Sequence, residues 1–297
     1  MANEVVISVL QVGTIDYATG LRLQQRLVDL RKNNEIGDVL LLLEHTPVIT
    51  LGRNAKSKNI VASSELLAQR GVEVFETDRG GDVTFHGPGQ LVGYPIFDLR
   101  SLPSEDEKRK TVGAIEYVRR LEEALICACA DFRISTKRIC GLTGVWTNPD
   151  STRVDLPSKS FLSSRAEQDD PLPDHPAKSR DLAFTEAKIA AIGVHISRAV
   201  TSHGFALNIN TDLSYFDLII PCGITAKPVT SMAKELGREI AIQEVAHAIT
   251  RNFGVVFQSQ ILWLDSLESL LGPAVGVPMK VPEELRKLHK DEDTFWA

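Results

Sequence analysis

Arg79-Gly-Gly-Asp-Val-Thr-Phe-His-Gly-Pro-Gly-Gln-Leu-Val-Gly-Tyr-Pro95 packs five glycines, two prolines, an arginine and a histidine between segments that read as β-strands. Glycines in such number let a backbone take positive φ and approach a ligand with no Cβ in the way. Proline fixes the return path, and Arg79 and His86 set polar heads beside that open backbone. A plain hairpin needs one or two turn residues. The run therefore reads as a binding loop set between strands.

Upstream, residues 4–10 read as a strand and 16–32 as an amphipathic helix opening at Asp16, with Leu23, Leu27 and Leu30 on one face. Residues 38–44 form an apolar, buried-type strand, and 45–53 a strand that ends in a Gly-Arg turn. A serine-capped helix at 63–69 and a strand at 72–75 lead into the loop. Downstream, 108–130 is a helix whose Val112, Ile115, Val118, Leu121 and Leu125 mark a core stripe. Residues 142–147 and 187–196 read as strands, 203–210 as strand and turn, and 242–253 as a helix. Short helical signals follow at 265–271 and 282–289. Between Asn148 and Leu182, five prolines, many serines and no sustained apolar period give the composition of a mobile insertion. Strands and helices interleave without a steady βαβ beat. The expected fold class is α+β, a single domain around a mixed β-sheet flanked by helices.

At 297 residues the chain is long enough for a substantial core, and 43% hydrophobic with 24% charged residues is ordinary for a globular protein. A net charge of -6 argues against bulk nucleic-acid binding, and no apolar run, 39–43 included, comes near the length needed to span a bilayer. No basic n-region or Arg/Ser-rich stretch opens the chain, so the expected location is the cytoplasm. The four cysteines, Cys127, Cys129, Cys140 and Cys222, show neither a disulfide framework nor a zinc spacing.

Cys222 stands between Pro221 and Gly223. A thiol on such a rigid turn, with the next backbone N–H accessible, suits a nucleophile that attacks a carbonyl. It suits a small buried turn residue equally well. Lys188 opens a strand of small apolar residues; beside a thiol its ammonium would raise the thiolate fraction, but a strand-end lysine also simply points to water. His203-Gly-Phe-Ala-Leu-Asn208 reads as a pocket wall or a core strand, and His45 and His86 border turns. Cys140 follows Lys137 and Arg138, which makes it a rival reactive thiol, although it lacks an oxyanion-like turn. The dinucleotide and phosphate-loop glycine spacings are absent, as is a Gly-x-Ser-x-Gly elbow.

Taken in order, residues 44–53, the run 79–90 with Tyr94-Pro95, Thr143-Gly-Val-Trp146, Lys188-Ile-Ala-Ala-Ile-Gly193, His203–Asn208 and Pro221-Cys-Gly223 resemble the octanoyltransferase family, the lipoyl(octanoyl) transferases of lipoate biosynthesis. The resemblance runs from residue 4 to about 257, apart from the insertion. It implies the fold of biotin- and lipoate-protein ligases (class II synthetase-like), with a catalytic domain over 1–260, the insertion at 148–182 and a C-terminal extension over 261–297. It implies an acyltransferase that moves an octanoyl or lipoyl group from acyl carrier protein to a lysine of a lipoyl domain, in 2-oxoacid dehydrogenases or the glycine cleavage H protein. Cys222 would carry the acyl thioester and Lys188 would lower its pKa. Arg79, Gly80, Gly81, Asp82, Val83, Thr84, Phe85 and His86 would line the substrate site. So would Ala191, Ile192 and Gly193, together with Gly204, Phe205 and Ala206. No cofactor and no metal are implied, nor a nucleic-acid or membrane partner. Arg53, Lys56 and Lys58 are candidates for docking an acidic carrier. The rival is an ATP-dependent lipoate ligase, which similarly carries the glycine-rich run but typically continues it as His-Asp, where Gly87 follows His86 here.

Overall fold

Apolar alternation decides where the chain pairs. In the segment Asp38–His45, Val39, Leu41 and Leu43 pack into one core cluster and Leu40 and Leu42 into another, all at most 1% exposed. A strand buried on both faces belongs at the centre of a covered sheet. The computed structural model describes residues 5–104, 110–148, 186–220 and 227–271. Cys222, nearly all of the insertion and the helical signal at 282–289 lie outside the described residues.

The elements in chain order are β1 (Val5–Ile15), α1 (Tyr17–Lys32), β2 (Asp38–His45), β3 (Val48–Leu51), α2 (Ser64–Gln69), β4 (Glu73–Glu76), β5 (Val83–His86) and β6 (Gln90–Ile96). They continue with α3 (Ala114–Asp131), β7 (Thr136–Ile139), β8 (Leu142–Thr147), β9 (Lys188–Ser197), β10 (Val200–Asn208), α4 (Met232–Leu236), α5 (Ile242–Val256), β11 (Ser259–Leu264) and α6 (Leu267–Leu271). Eight strands form one sheet in the order β11-β1-β2-β6-β10-β9-β8-β7, and β4-β3-β5 form a second. β1 pairs parallel with both β11 and β2, and β3 pairs parallel with β4; the other ladders are antiparallel. The sheet is therefore mixed, as expected. Helices α3 and α5 cover one face through Tyr117, Leu121, Leu125, Ile249 and Phe253, and α1 covers the other through Leu23, Leu27 and Leu30. Asp16 caps α1 by accepting from Thr19 N–H at 2.8 Å, and Ser63 caps α2 in the same way.

The glycine-rich run is not one loop. Its residues 83–86 and 90–96 are strands, and they belong to different sheets: β5 to the small one, β6 to the large one. The link is the turn at 87–89. Gly89 sits at φ 78°, and a Cβ there would lie 2.7 Å from the Asn210 carbonyl carbon, so both conformation and space require glycine. The run decides the fold because it carries the chain from one sheet to the other.

Three further readings change. The helix expected over 108–130 starts at Ala114, because Gly113 is extended (φ -88°, ψ 166°) and glycine is a poor helix former. The strand expected over 45–53 is divided, His45 ending β2 and only Val48–Leu51 forming β3. The edge strands β7 and β11 were not anticipated; β7 is short and half-buried, and β11 straddles residue 260 as the outer neighbour of β1.

Candidate active site

A cleft of about 690 Å³ opens between the two sheets. Strand periodicity determines which predicted residues reach it. Along β5, Thr84 and His86 line the cleft, while Val83 and Phe85 point the other way into a small core with Ile49, Phe216 and Leu218. Gly80 is not among the lining residues either; its N–H donates to the Val194 carbonyl at 3.1 Å and ties the turn onto β9. Arg79, Gly81, Asp82, Ala191, Ile192, Gly193, Gly204, Phe205, Ala206 and Lys188 all line the cleft.

Arg79 is 8% exposed and spends its guanidinium on the protein. Its Nε donates to Thr50 Oγ1 at 3.1 Å, its Nη2 to the carbonyls of Thr50 and Asp82 at 2.7 Å each, and its Nη1 to the Gly80 carbonyl at 3.0 Å. It clamps the turn 79–82 to β3. His86 is buried, its Nδ1–H donating to Gln90 Oε1 at 2.7 Å and its Nε2 facing Thr50 Oγ1 at 3.4 Å. Burial, with the nearby His45 and Arg79 adding to it, pushes its pKa down to about 3, so the ring is neutral. Burial likewise lowers His45 to about 4; its Nδ1 bonds the Ile15 carbonyl and its Nε2 faces the Tyr94 hydroxyl at 2.7 Å.

The opposite wall is made of absences. On β9 and β10, Ala191 pairs with Ala206 and Gly193 with Gly204. A Cβ at Gly193 would lie 2.6 Å from the Gly80 carbonyl oxygen, and one at Gly204 2.2 Å from that of Gly93. Glycine is what lets the turn 79–82 and β6 approach this closely. Larger side chains on this wall include Ile192, His203, Phe205 and Lys188. Trp146 faces Lys188 and Val145 faces Ala190, so Ile189 is an extra residue on β9. Such bulges re-aim a neighbouring side chain. Lys188 is 8% exposed, with Nζ 4.8 Å from the centre of the Trp146 ring, a contact worth about 0.5–2 kcal/mol.

The chain on both sides of residues 221–226 is tethered to the cleft. Ile220 N–H donates to the Asn59 carbonyl at 2.7 Å, and Lys188 N–H to the Pro228 carbonyl at 2.8 Å. The other thiols fit a nucleophile poorly. Burial raises Cys127 to about 11 and Cys129 to about 12. Cys140 is exposed at the β7–β8 turn, and its basic neighbours are engaged: Arg138 with Glu122 and Glu123, Lys137 with Glu186 at 2.7 Å. That weakens the electrostatic case for Cys140.

Sequence reasoning missed Tyr17, Tyr94, Asp78, Gln90 and Asn208. Tyr17 stacks parallel to His86 with ring centres 6.4 Å apart. Asp78 Oδ1 lies 2.7 Å from His203 Nε2; burial works to raise this carboxyl, but the His203 bond and the charges of His203 and His195 hold it below its usual range. Tyr94 and Gln90 stood inside the quoted run, where a strand reading with period two would have found them. Among the described residues no group of side chains could hold a metal ion, and no helix is long and apolar enough to cross a membrane.

A cleft between a small polar sheet and a glycine-stripped face of a large mixed sheet, with one buried lysine, has clear relatives. The family model of the lipoyl protein ligase A/B catalytic domain matches residues 16–254. In structure, the bipartite lipoate protein ligase of Thermoplasma acidophilum superposes with a TM-score of 0.59 at 13% identity, covering 94% of this chain and 99% of that one. Lipoate-protein ligase A bound with ATP gives 0.56 at 12% identity, covering 97% and 93%. At that identity these establish the fold, which is that of lipoate-protein ligases. The sequence relatives are more particular. An octanoyltransferase of Koribacter versatilis is 57% identical over 97% of this chain and 98% of its own length, and one from Acidobacterium capsulatum is 52% identical over 90% and 96%. The chain belongs to the lipoyl protein ligase A/B family, among its octanoyltransferases, and is an acyltransferase.

Proposed function

We propose that this chain transfers an octanoyl group from an acyl-carrier-protein thioester to a lysine of a lipoyl domain, through a thioester on Cys222. The observation that carries the reading is Lys188, a buried ammonium at the cleft whose backbone grips the segment just beyond Cys222. An opposite charge within reach favours the thiolate. The thiolate attacks the donor carbonyl, the carrier thiol departs, and Lys188 supplies the proton it leaves with. Neutral Lys188 then accepts a proton from the incoming acceptor lysine as that amine attacks the enzyme thioester. Cys222 leaves as thiolate and the ion pair is restored. His86, neutral with both ring nitrogens engaged, is a positioning group rather than the proton carrier.

Thioester exchange is close to isoenergetic and aminolysis runs downhill, so the sequence of steps needs no nucleotide. The thiol must stay reduced, which suits the cytoplasm. Arg79, Gly81, Asp82, Thr84 and His86 form one side of the acyl site and Ala191, Gly193, Gly204 and Ala206 the other. Lys56 and Lys58, at the cleft rim, face an acidic carrier. Lipoyl domains of 2-oxoacid dehydrogenases and the glycine cleavage H protein are the acceptors.

Intact-protein mass after mixing with octanoyl-acyl carrier protein, without ATP, tests this. The expected result is a single octanoyl adduct, absent in Cys222→Ala and discharged by an apo lipoyl domain. Transfer that requires ATP and free octanoate, with no adduct, would overturn the proposal in favour of a ligase.

A further inference from the structure

Four hydrogen bonds run in one direction from the cleft histidine to Lys188, and a fifth leaves Lys188 for the exposed Pro228. His86 Nδ1–H donates to Gln90 Oε1 at 2.7 Å, Gln90 Nε2 to Asn208 Oδ1 at 2.8 Å, and Asn208 Nδ2 to the Thr230 carbonyl at 2.9 Å. Thr230 N–H then donates to the Lys188 carbonyl at 2.9 Å, and Lys188 N–H to the Pro228 carbonyl at 2.8 Å. His86, Gln90, Asn208, Thr230 and Lys188 are each at most 8% exposed. Gln90 Nε2 also reaches the Phe85 carbonyl at 3.1 Å, which fixes which end of the amide points where.

Buried amides are costly unless satisfied, and apolar residues of the same shape would hold strands together about as well. What the two amides reach is the segment 228–230, which brackets the Lys188 peptide on both sides. We propose that Gln90 and Asn208 are positioning residues for acyl transfer: they fix segment 228–230 and, through its two backbone bonds, hold Lys188 in place on Trp146. This rests on Lys188 being the charge partner of the Cys222 thiol. Among the described residues, the charged groups around Lys188 include Lys227, with Nζ 5.7 Å from the same Trp146 ring, Glu186, which pairs with Lys227 and with Lys137, and, lining the same cleft, Arg79 and Asp82 with the histidines His86 and His203. Neither Gln90 nor Asn208 adds a charge of its own, so their effect on the thiol passes through where the lysine sits.

The test is the pH dependence of Cys222 alkylation by iodoacetamide in the full chain, read by peptide mass, alongside steady-state octanoyl transfer. Lys188→Ala sets the scale, raising the alkylation midpoint by about 1–3 pH units. Asn208→Ala is expected to raise it by about one unit and to lower kcat roughly tenfold with the donor KM little changed. Gln90→Met cuts the chain one link earlier and is expected to shift the midpoint the same way by less. It decides the matter if Asn208→Ala does not fold. If both variants lower the melting temperature but leave the midpoint at the wild-type value while Lys188→Ala moves it, the positioning role is overturned and the Cys222–Lys188 pair stands. If Lys188→Ala itself leaves the midpoint unmoved, the pair fails and the positioning role fails with it.

Discussion

The two walls of the cleft are built on opposite principles. The small-sheet wall presents polar side chains that are tied down, with Arg79 bonded to Thr50, Gly80 and Asp82, and His86 held by Gln90. The large-sheet wall sets a patch of small residues, Ala191, Gly193, Gly204 and Ala206, among larger ones such as Val92, Tyr94 and Phe205. One wall fixes geometry by bonds, the other creates room by omission. A site of this kind is therefore sensitive to two different injuries: loosening on one side and filling on the other.

Loosening is expected to cost most. Arg79→Lys keeps the charge but replaces a planar fork with a single flexible ammonium, so the bonds to β3 and to the turn 79–82 cannot all be made. Transfer should fall by about 100-fold, as expected when a reacting group is displaced by roughly an ångström. Steady-state kinetics would show this, and unchanged kcat/KM would show that the clamp is dispensable. Filling the other wall should act on specificity. Ala191→Val puts two methyl groups into the cleft beside Ala206, and should turn preference from octanoyl toward shorter acyl thioesters by about tenfold. Competition between hexanoyl and octanoyl donors measures it.

The two buried histidines, His86 on the bonded wall and His45 at the end of β2, also give a pH signature. His45 and His86 have folded-state pKa values lowered to about 4 and about 3, below the usual histidine range. The unfolded chain therefore binds protons first as pH falls. The stability these neutral rings provide is complete above about pH 6.5 and is lost on acidification toward pH 4 and below, each histidine contributing at most about 1.4 kcal/mol per pH unit. Melting temperature against pH should flatten over that window in His45→Gln, and an identical slope would contradict the assignment. The smallest effect on activity is expected from Val83→Ala, because Val83 faces the small core and not the cleft. It should cost about 1–3 kcal/mol of stability by chemical denaturation while kcat/KM stays within about twofold.

Local signals made the long elements legible. Asp16 and Ser63 announce their helices, the apolar run of β2 announces a central strand, and α5 is plain. The stripe read for α3 is only partly right, since Val112 precedes the helix and Ile115 is 80% exposed while Tyr117, Leu121 and Leu125 face the core. The division into two sheets was not legible. Glycine and proline in the run 79–95 mark a turn, but nothing nearby says that the strands on its two sides pair with different partners. The same limit applies at the cleft. Arg79, His86 and Lys188 stand out by residue type, whereas Gln90 and Asn208 matter through bonds across 118 residues of chain, and Tyr94 through one across 49. Val83 and Phe85 were included because a run was read as a loop; once it is a strand, alternate residues must face away.

The pairing of β11 with β1 sets an order of events during synthesis. β1 leaves the ribosome about 250 residues ahead of its outer neighbour, which spans Ser259–Leu264. Until that stretch emerges, one side of β1 presents unpaired backbone groups, the kind of edge that recruits other chains. Nascent chains stalled before Ser259–Leu264 has emerged should therefore need chaperone cover that released chains do not.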